Sequence, residues 1–203
     1  MGKIFCLLGK SATGKDTIYE QLMAEPGLGL APLVSYTTRP IREGEVDGET
    51  YHFTDEAGLK SLQEQGKVIE VRCYQTVCGP WYYFTADDGS VEAEGGDRLY
   101  IGTLVSYEKL RDHFGEDRVC PIYIEVEDRT RLERSIARES RQKTPRYEEV
   151  CRRFLADQED FAEEKLAAAG IGRRFSNQGE PGECLEQVRA YIWSMRESGG
   201  ISR

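Results

Sequence analysis

The sequence predicts an α/β fold in which helices cover both faces of a parallel β-sheet, giving three layers. One observation is a buried-strand pattern at the N-terminus that runs through a glycine-rich loop into a helical pattern. Two further apolar runs of strand length follow later in the chain, and long helical patterns come after them. A length of 203 residues suits one domain with small insertions rather than two independent domains.

The first strand and helix flank the glycine-rich loop. Residues 3–8, KIFCLL, form an apolar run that ends at Gly9, as expected of a buried parallel strand. Apolar residues recur at helical spacing after Lys15 until Pro26 and Gly27 end the pattern. Strand, glycine loop and helix are the context that a phosphate-binding loop requires.

An inserted segment of different composition follows, at about residues 33–96. It is rich in Thr, Tyr, Gly and charged residues, which predicts short strands and turns. One helix is predicted within it, at about 55–65, and Gly66 would end that helix.

The chain then returns to core strands and long helices. RLYIG and RVCPIYIEV are predicted core strands, with Pro121 at the start of the second because proline is disfavoured inside a central strand. A helical region is predicted at 129–169 with a break near Thr144 and Pro145, in which Leu132 and Ile136 can pack inward. A final amphipathic helix carries four inward-facing apolar residues, Leu185, Val188, Ile192 and Met195.

Composition excludes several classes of protein. The net charge of −9 argues against a broad nucleic-acid surface, and no apolar run approaches the ~18 residues of a membrane helix. We therefore expect a cytoplasmic protein with neither a nucleic-acid nor a membrane partner. The six cysteines form no metal-ligand pattern, which favours reduced and mostly packed thiols, at Cys6, Cys73, Cys78, Cys120, Cys151 and Cys184.

The glycine-rich loop fits G-x-x-x-x-G-K-[ST] except at its last position. Backbone N–H groups at a helix N-terminus suit phosphate oxygens, and Lys15 would add a charge for the β- and γ-phosphates of ATP. A structural turn is the alternative interpretation. The predicted ATP-binding residues of this segment are Gly9, Ser11, Ala12, Thr13, Gly14, Lys15, Asp16 and Thr17.

Asp16 stands where the loop pattern has a hydroxyl residue. A carboxylate is a hard, charged ligand that suits Mg²⁺ directly or through its water, so Asp16 is the predicted metal ligand. The alternative is a helix N-terminal acid that complements the macrodipole. Thr17 offers a neighbouring hydroxyl.

Basic residues are concentrated in one segment of this acidic chain. Residues 129–153 contain nine Lys or Arg against four Glu, an excess that points to bound anions. Four of these arginines recur at helical spacing along one stripe, namely Arg131, Arg134, Arg138 and Arg141. A solvated stripe with Glu neighbours is the alternative for the first two.

Residues 35–53 have the arrangement S-x-T-T-R-x-x-R-x-G-E-x-x-G-x-x-Y-x-F. This resembles the substrate-binding segment of guanylate kinases, and the likeness extends more loosely over nearly the whole chain. The resemblance implies a phosphate-loop NTPase core with a parallel five-stranded sheet, a mixed α+β GMP-binding insertion and a helical lid. It implies one domain over residues 1–203. The core would comprise residues 1–32, 97–127 and 150–198. The insertion would span about 33–96 and the lid about 128–149.

The resemblance also implies the acceptor site. Arg39, Arg42 and Tyr51 would hold the phosphate of GMP, and Ser35 would contact the guanine. Two guanidinium groups and a tyrosine hydroxyl suit a phosphate dianion. A solvated turn is the alternative for the acids between them, Glu43, Glu45, Asp47 and Glu49.

Glu70 lies where the resemblance puts the carboxylate that reads guanine. Guanine offers N1–H and the N2 amino group side by side, whereas adenine has no such pair, so Glu70 predicts GMP over AMP. The alternative is an exposed glutamate at a strand end.

Two segments depart from the family pattern. The family's Y-G-[ST] is replaced within CYQTVCGPWYYFTADDG, where Tyr82 is the predicted match and Thr85 can substitute for the hydroxyl. The aromatic residues from Trp81 to Phe84 suit base stacking or packing. The family's D-I-D-x-Q-G is absent from LYIGTLVS, so Asp16 is interpreted as the replacement for a lost carboxylate.

The resemblance implies that the basic helix is part of a lid. Arg153 matches a family arginine, and Arg138 and Arg141 are predicted to close on the ATP phosphates, where such donors stabilise transferring charge. With Lys15 and Arg39 they are the predicted catalytic residues. Asn177 resembles a family asparagine near adenine.

These residues predict a magnesium-dependent kinase that transfers the γ-phosphoryl group of ATP to GMP. One alternative is a guanylate-kinase-like binding module without catalysis, which would bind acidic or phosphorylated ligands. Another is a kinase with a different monophosphate acceptor. Oligomeric state is not predicted.

Overall fold

A computed structural model describes residues 2–42, 44–76, 79–93, 95–180 and 182–198. The helices are α1 Lys15–Met23, α2 Glu56–Glu64, α3 Ser90–Ala93, α4 Leu104–Phe114, α5 Asp128–Glu139, α6 Tyr147–Asp160, α7 Glu163–Ala168 and α8 Glu183–Ser198. The strands are β1 Ile4–Leu8, β2 Leu30–Pro32, β3 Tyr36–Thr37, β4 His52–Phe53, β5 Val68–Thr76, β6 Gly79–Ala86, β7 Asp97–Ile101, β8 Val119–Glu125 and β9 Arg174–Ser176.

The core is the predicted five-stranded parallel sheet, in the order β2-β7-β1-β8-β9. Alternate side chains of β1 enter two separate hydrophobic clusters because successive residues of a strand point to opposite faces. Leu8 packs on one face with residues of α4 and α7, and Leu7 packs on the other with residues of α1 and α8. The three-layer α/β prediction is confirmed.

A second, mixed sheet has the order β4-β3-β6-β5. It is formed by residues 36–86, and α2 covers one face through Leu59 against Phe84 and Ala86. Asp55 caps α2 by accepting a hydrogen bond from the Gly58 N–H at 2.8 Å. Both sheets fall within the predicted ranges for core and insertion, while the division into core, insertion and lid remains a prediction.

Three sequence expectations about elements are wrong. Pro121 lies inside β8, opposite Cys6 of β1, and not at the start of the strand. On the other side of β8, pairing with β9 begins only at Tyr123. Because β8 is paired on one side only at Pro121, the missing N–H of proline need not interrupt the hydrogen bonding of the sheet. Ile136 is exposed rather than packed inward. The region 129–169 has a second break, at Phe161 and Ala162, besides the predicted one.

The described cysteines are free thiols. Cys6, Cys120 and Cys184 are buried, whereas Cys73 and Cys151 are exposed. Cys78 and the chain end beyond residue 198 lie outside the described residues. None of the helices in the described ranges is long and apolar enough to cross a membrane.

Candidate nucleotide-binding site

The loop between β1 and α1 turns sharply at its two glycines. A side chain on Gly9 would approach the Ile124 carbonyl oxygen to 2.6 Å, and one on Gly14 would approach Asn177 Nδ2 to 2.5 Å. Gly14 has a left-handed φ of +85° and is the N-cap of α1, while Ala12 has a φ of +62° despite its side chain. The backbone N–H groups of a helix N-terminus, which suit anions, thus lie at one edge of the core sheet.

Distant residues fix the backbone of this loop. The Ser11 N–H donates to Asp157 Oδ2 at 2.7 Å, and the Ser11 carbonyl accepts from Arg131 Nη1 at 3.1 Å. Asn177 Nδ2 donates to the Thr13 carbonyl at 2.8 Å. Of the predicted ATP-binding residues, Asn177 therefore lies against the loop, and the N–H of Ser11 is occupied by a carboxylate.

Lys15 and Asp16 begin α1 with unpaired charges. Neither side chain makes a hydrogen bond or an ion pair within the described ranges. Asp16 and Thr17 are exposed. Together with Arg138 and Asn177 they line a pocket of about 430 Å³, the phosphate-loop pocket. The pocket thus joins the end of the loop to a predicted lid residue.

The donor set at Asp16 fits magnesium that arrives with a nucleotide. Among the residues with described positions, no three His, Cys, Asp or Glu side chains cluster as a metal site would require. Asp16 is a single carboxylate beside the Thr17 hydroxyl and the phosphate loop. Mg²⁺ is commonly held by one or two carboxylates together with phosphate oxygens and water.

A second opening, the aromatic cleft, has a volume of about 690 Å³. The mixed sheet contributes Tyr51, Tyr74, Trp81 and Tyr83 to its lining, and further lining comes from Ser35, Arg72, Ile101, Gly102, Arg152 and Arg153. The predicted residues Ser35 and Tyr51 therefore line one cleft. Arg39 and Glu70 lie behind its wall, in contact with Tyr83 and Arg72.

Arg39 is buried and held by surrounding side chains. It is 4% exposed, and its Nη1 and Nη2 donate to Glu45 at 2.7 and 2.5 Å. Its Nε donates to the Tyr83 hydroxyl at 3.1 Å, and its Cζ lies 5.2 Å from the Tyr51 ring centroid. The hydrogen bonds from Arg39 lower the pKa of Glu45 to about 2. The solvated-turn interpretation is therefore wrong for Glu45.

Arg42 has a different environment from Arg39. It is exposed, it bonds Glu45 only through its backbone N–H and carbonyl groups, and it does not line the aromatic cleft. The structure therefore does not bring the two predicted phosphate-binding arginines together. Asp47 and Glu49 are exposed, in agreement with the turn interpretation, and Glu43 lies outside the described residues.

The tyrosine predicted from β6 is the wrong one. Tyr82 packs with Phe84 against α2, on the face of the mixed sheet away from the cleft. Tyr83 lines the cleft and bonds Arg39, and Thr85 on the same face bonds Glu70. Strand alternation, counted from Thr85 opposite Glu70, is the signal that identifies Tyr83.

Glu70 is buried and bonded, so the alternative of an exposed strand-end glutamate is wrong. It is 7% exposed and accepts from Thr85 Oγ1 at 3.0 Å. It also accepts from Arg72 Nε at 3.2 Å and Nη2 at 3.4 Å, while Ser35 Oγ lies 3.4 Å from Thr85 Oγ1. Sequence reasoning missed Arg72, although its spacing of two from Glu70 puts both on one face of β5.

A third opening, the lid cleft, lies between α5 and α6 and has a volume of about 730 Å³. Many of the side chains that line it are basic. Its basic lining residues are Arg131, Arg138, Arg141, Lys143, Arg146 and Arg153. Arg138 also lines the phosphate-loop pocket, and Arg153 also lines the aromatic cleft. The side chains of Arg138 and Arg141 make no ion pair in the described part of the chain.

The solvated-stripe interpretation is wrong for Arg131, whereas Arg134 is exposed. Arg131 is 1% exposed and bonds Asp128 and Asp157, which makes it part of the packed structure. Arg134 Nη2 donates to the Asn177 carbonyl at 3.2 Å.

Comparisons with known proteins find guanylate kinases, both by sequence and by fold. The guanylate kinase family model matches residues 1–83. The chain is 39% identical over 117 residues to a guanylate kinase of Neisseria meningitidis serogroup A, covering 57% of this chain and 55% of that protein. It is 36% identical over 87 residues to a guanylate kinase of Chromobacterium violaceum, covering 40% of each. The chain thus spans about half the length, or less, of these curated relatives.

The fold comparison covers more of the chain. The crystal structure of guanylate kinase from Anaplasma phagocytophilum has a TM-score of 0.59 and 20% identity, over 97% of this chain and 86% of that one. At this identity the likeness concerns the fold, which includes the C-terminal half where the family model does not match. The first 83 residues thus match the guanylate kinase family model, and the chain as a whole has a fold similar to that of a guanylate kinase.

Proposed function

We propose that the protein transfers the γ-phosphoryl group of ATP to GMP, with Mg²⁺, to give ADP and GDP. The observation that carries the proposal is that arginines join all three openings. Arg138 is shared by the phosphate-loop pocket and the lid cleft, and Arg153 is shared by the lid cleft and the aromatic cleft. Phosphoryl transfer depends mainly on alignment and on cations that neutralise the transferring group.

On the donor side, the loop from Gly9 to Thr17 would bind the β- and γ-phosphates, and Lys15 would contact the transferred group. Asp16 would hold Mg²⁺, which neutralises phosphate charge when it is bound. Arg138 and Arg141 would close on the phosphates from the lid, residues 128–149, and Arg153 would approach them from α6. Support comes from the unpaired side chains of Lys15, Asp16, Arg138 and Arg141.

On the acceptor side, Tyr51 and the Arg39–Tyr83 pair would bind the phosphate of GMP. Glu70 would read the base, with Ser35 and Thr85 beside it. The insertion, about 33–96, would therefore bind the acceptor, while the core ranges 1–32, 97–127 and 150–198 would carry the donor loop. We assign a smaller role to Arg42, since it is exposed and outside the cleft.

Release of ADP tests the proposal. The protein is incubated with ATP, Mg²⁺ and one of GMP, dGMP, AMP, CMP or UMP, and ADP is measured over time. We expect ADP release with GMP and little with AMP or CMP. Lys15→Met serves as the control, because Lys15 has no described partner and its loss should abolish turnover without unfolding the protein. ADP release that does not depend on any monophosphate would contradict the proposal.

A non-catalytic binding module is the second candidate, favoured by the bond between the Ser11 N–H and Asp157 in the phosphate loop. In that case an acidic or phosphorylated peptide would bind the cleft near Arg39, and ATP would remain intact with every acceptor. A kinase with another acceptor would instead release ADP with a monophosphate other than GMP.

A further inference from the structure

The wall of the aromatic cleft contains the Arg72–Glu70 ion pair, and the phosphoryl-transfer proposal uses only its carboxylate. Arg72 donates from Nε and Nη2 to Glu70, at 3.2 and 3.4 Å. The Glu70 side chain is 4% exposed and does not line the cleft, whereas that of Arg72 is 27% exposed and does. The guanidinium group therefore lies at the edge of the cleft, beside the more deeply buried carboxylate.

The hydrogen-bonding capacity of this pair is unevenly used. A carboxylate has about four lone-pair sites, and Glu70 uses three, for Thr85 and for the two bonds from Arg72. A guanidinium has five N–H donors, and Arg72 uses two, both on Glu70, within the described residues. The pair thus presents one remaining acceptor and three donors.

We infer that Arg72 is a second base-reading residue, which with Glu70 selects a keto oxygen next to a ring N–H, the edge shared by 6-oxopurines. This rests on the proposed function. The free donors of Arg72 would bond O6, as arginine commonly does with guanine, and the free acceptor of Glu70 would take N1–H. Adenine presents an amino group where O6 would be, so its donor would face the donors of Arg72.

A consequence concerns the 2-amino group. Because Glu70 has one acceptor position left, N1–H takes it and the amino group of guanine contributes little. IMP carries the same O6 and N1–H without that amino group. We therefore expect the acceptor class to be 6-oxopurine monophosphates, with IMP used within about tenfold of GMP. UMP carries the same edge on a smaller ring and serves as a probe of ring size.

Steady-state kinetics and calorimetry test the inference on wild type, Arg72→Met and Arg72→Lys, with GMP, IMP, AMP and UMP. Arg72→Met removes the donors at similar length, so GMP and IMP should lose about tenfold to a hundredfold in kcat/KM and affinity while AMP is unchanged. Arg72→Lys keeps a positive charge beside Glu70, so its kcat/KM and affinity for GMP and IMP should lie between those of wild type and Arg72→Met. Arg129→Met is the matched control, because Arg129 pairs with Glu133 and lines none of the three openings.

The outcomes separate this inference from the proposed function. An unchanged GMP-to-AMP preference in Arg72→Met overturns the inference, and so does IMP more than a hundredfold worse than GMP or UMP as good as GMP. If the wild-type protein phosphorylates no monophosphate, the proposed function fails. The inference is then tested by calorimetry alone, through the same ratios of affinity among GMP, IMP, AMP and UMP. If Arg72→Met does not fold, Arg72→Lys decides. The inference requires the ratio of kcat/KM for GMP to that for AMP to be smaller in Arg72→Lys than in wild type. An unchanged ratio overturns the inference.

Discussion

Most of the N–H donors of the Arg39 side chain already have hydrogen-bond partners within the protein. Glu45, Tyr83 and the Pro40 carbonyl together accept four of its five N–H donors. Its contribution to phosphate binding would therefore come mainly from its charge and its one remaining donor. Glu45 acts here as a positioning residue, because its two oxygens fix the plane of the guanidinium group.

The Arg39–Glu45 pair predicts a pH dependence of stability. The pKa of Glu45 is about 2 in the folded protein against an ordinary value of 4.5, since Arg39 favours the charged form. The stabilisation is therefore complete above about pH 4.5 and lost as the pH falls from 4.5 through 2. We expect Glu45→Gln to be less stable at pH 6 and to lose less stability than wild type between pH 4.5 and 2. Urea unfolding at pH 6 and 3 measures both.

Glu149→Gln is the control for that prediction. Arg152 and Arg153 also lower the pKa of Glu149 to about 2, but both arginines are more than half exposed. Exposed pairs contribute little to stability, so this variant should resemble wild type at pH 6. An equal acid-induced loss in Glu45→Gln and wild type would contradict the assignment to Glu45.

Asp16 is predicted to act through its charge. Asp16→Asn and Asp16→Ser should both raise the Mg²⁺ concentration for half-maximal turnover by about tenfold, because each replaces a charged ligand with a neutral one. Titration of Mg²⁺ at saturating ATP and GMP gives the measurement. Normal Mg²⁺ dependence in Asp16→Ser would contradict a charge requirement. If Asp16 only complements the helix dipole, both variants would instead lose about 0.5 kcal/mol of stability with unchanged Mg²⁺ dependence.

At the scale of elements, α5 and α6 are joined to the phosphate loop by a polar cluster around the buried Arg131. Arg131 of α5 bonds Asp128 at 2.6 Å, Asp157 of α6 at 3.2 Å and the Ser11 carbonyl at 3.1 Å. Asp157 in turn accepts from the Ser11 N–H. These two helices and the loop therefore share one set of bonds, so a substitution in one of them is expected to affect the other.

Removal of Asp157 should show the strength of this cluster. Asp157→Ala leaves Arg131 buried with a single carboxylate and leaves the Ser11 N–H unpaired, so we expect a loss of ~3 kcal/mol in the free energy of unfolding. Asp157→Asn keeps an acceptor for Ser11 and should cost less. Glu159→Ala, on the exposed side of α6, is the control and should change stability by less than ~0.5 kcal/mol. Equal stabilities of the two alanine variants, from urea unfolding, would contradict the prediction.

For the whole molecule, the decisive feature is that openings formed by different parts of the chain meet at arginines. The phosphate loop belongs to the N-terminal residues, the aromatic cleft mainly to residues 33–102 and the lid cleft mainly to residues 131–157. Arg153 lines the last two. A cation at this meeting point suits a group that passes from donor to acceptor.

Arg153→Ala should therefore lower kcat by about a hundredfold or more, since arginines that contact a transferring phosphoryl group have effects of ~10³ or larger. The side chain is 56% exposed, so the unfolding free energy should change little. Arg129→Ala removes an arginine in a similar i,i+4 pair with Glu133 and is the matched control. Equal kcat values for the two variants, at saturating ATP and GMP, would show that Arg153 does not act in transfer.

Sequence alone was sufficient for the features that local chemistry specifies. The strand, glycine loop and helix at Gly9 and Lys15 follow from residue order, as do the helix capped by Asp55 and the strand–helix alternation that gives a parallel sheet. The segment 35–53 also carries the resemblance to guanylate kinases, whose family model matches residues 1–83. Each of these signals lies within a short stretch of chain, where backbone preference and periodicity decide the outcome.

Tertiary structure decided which side chains meet. Ser11 and Asp157 are 146 residues apart, and Arg39 and Tyr83 are 44 apart. Tyr83 rather than Tyr82 faces the cleft because the pairing of β6 with β5 sets which face each residue occupies, and a shift of one residue reverses it. The partners of Glu45, Glu70 and Arg131 depend on burial, since a buried charge must find an opposite charge or a hydrogen bond that composition does not reveal.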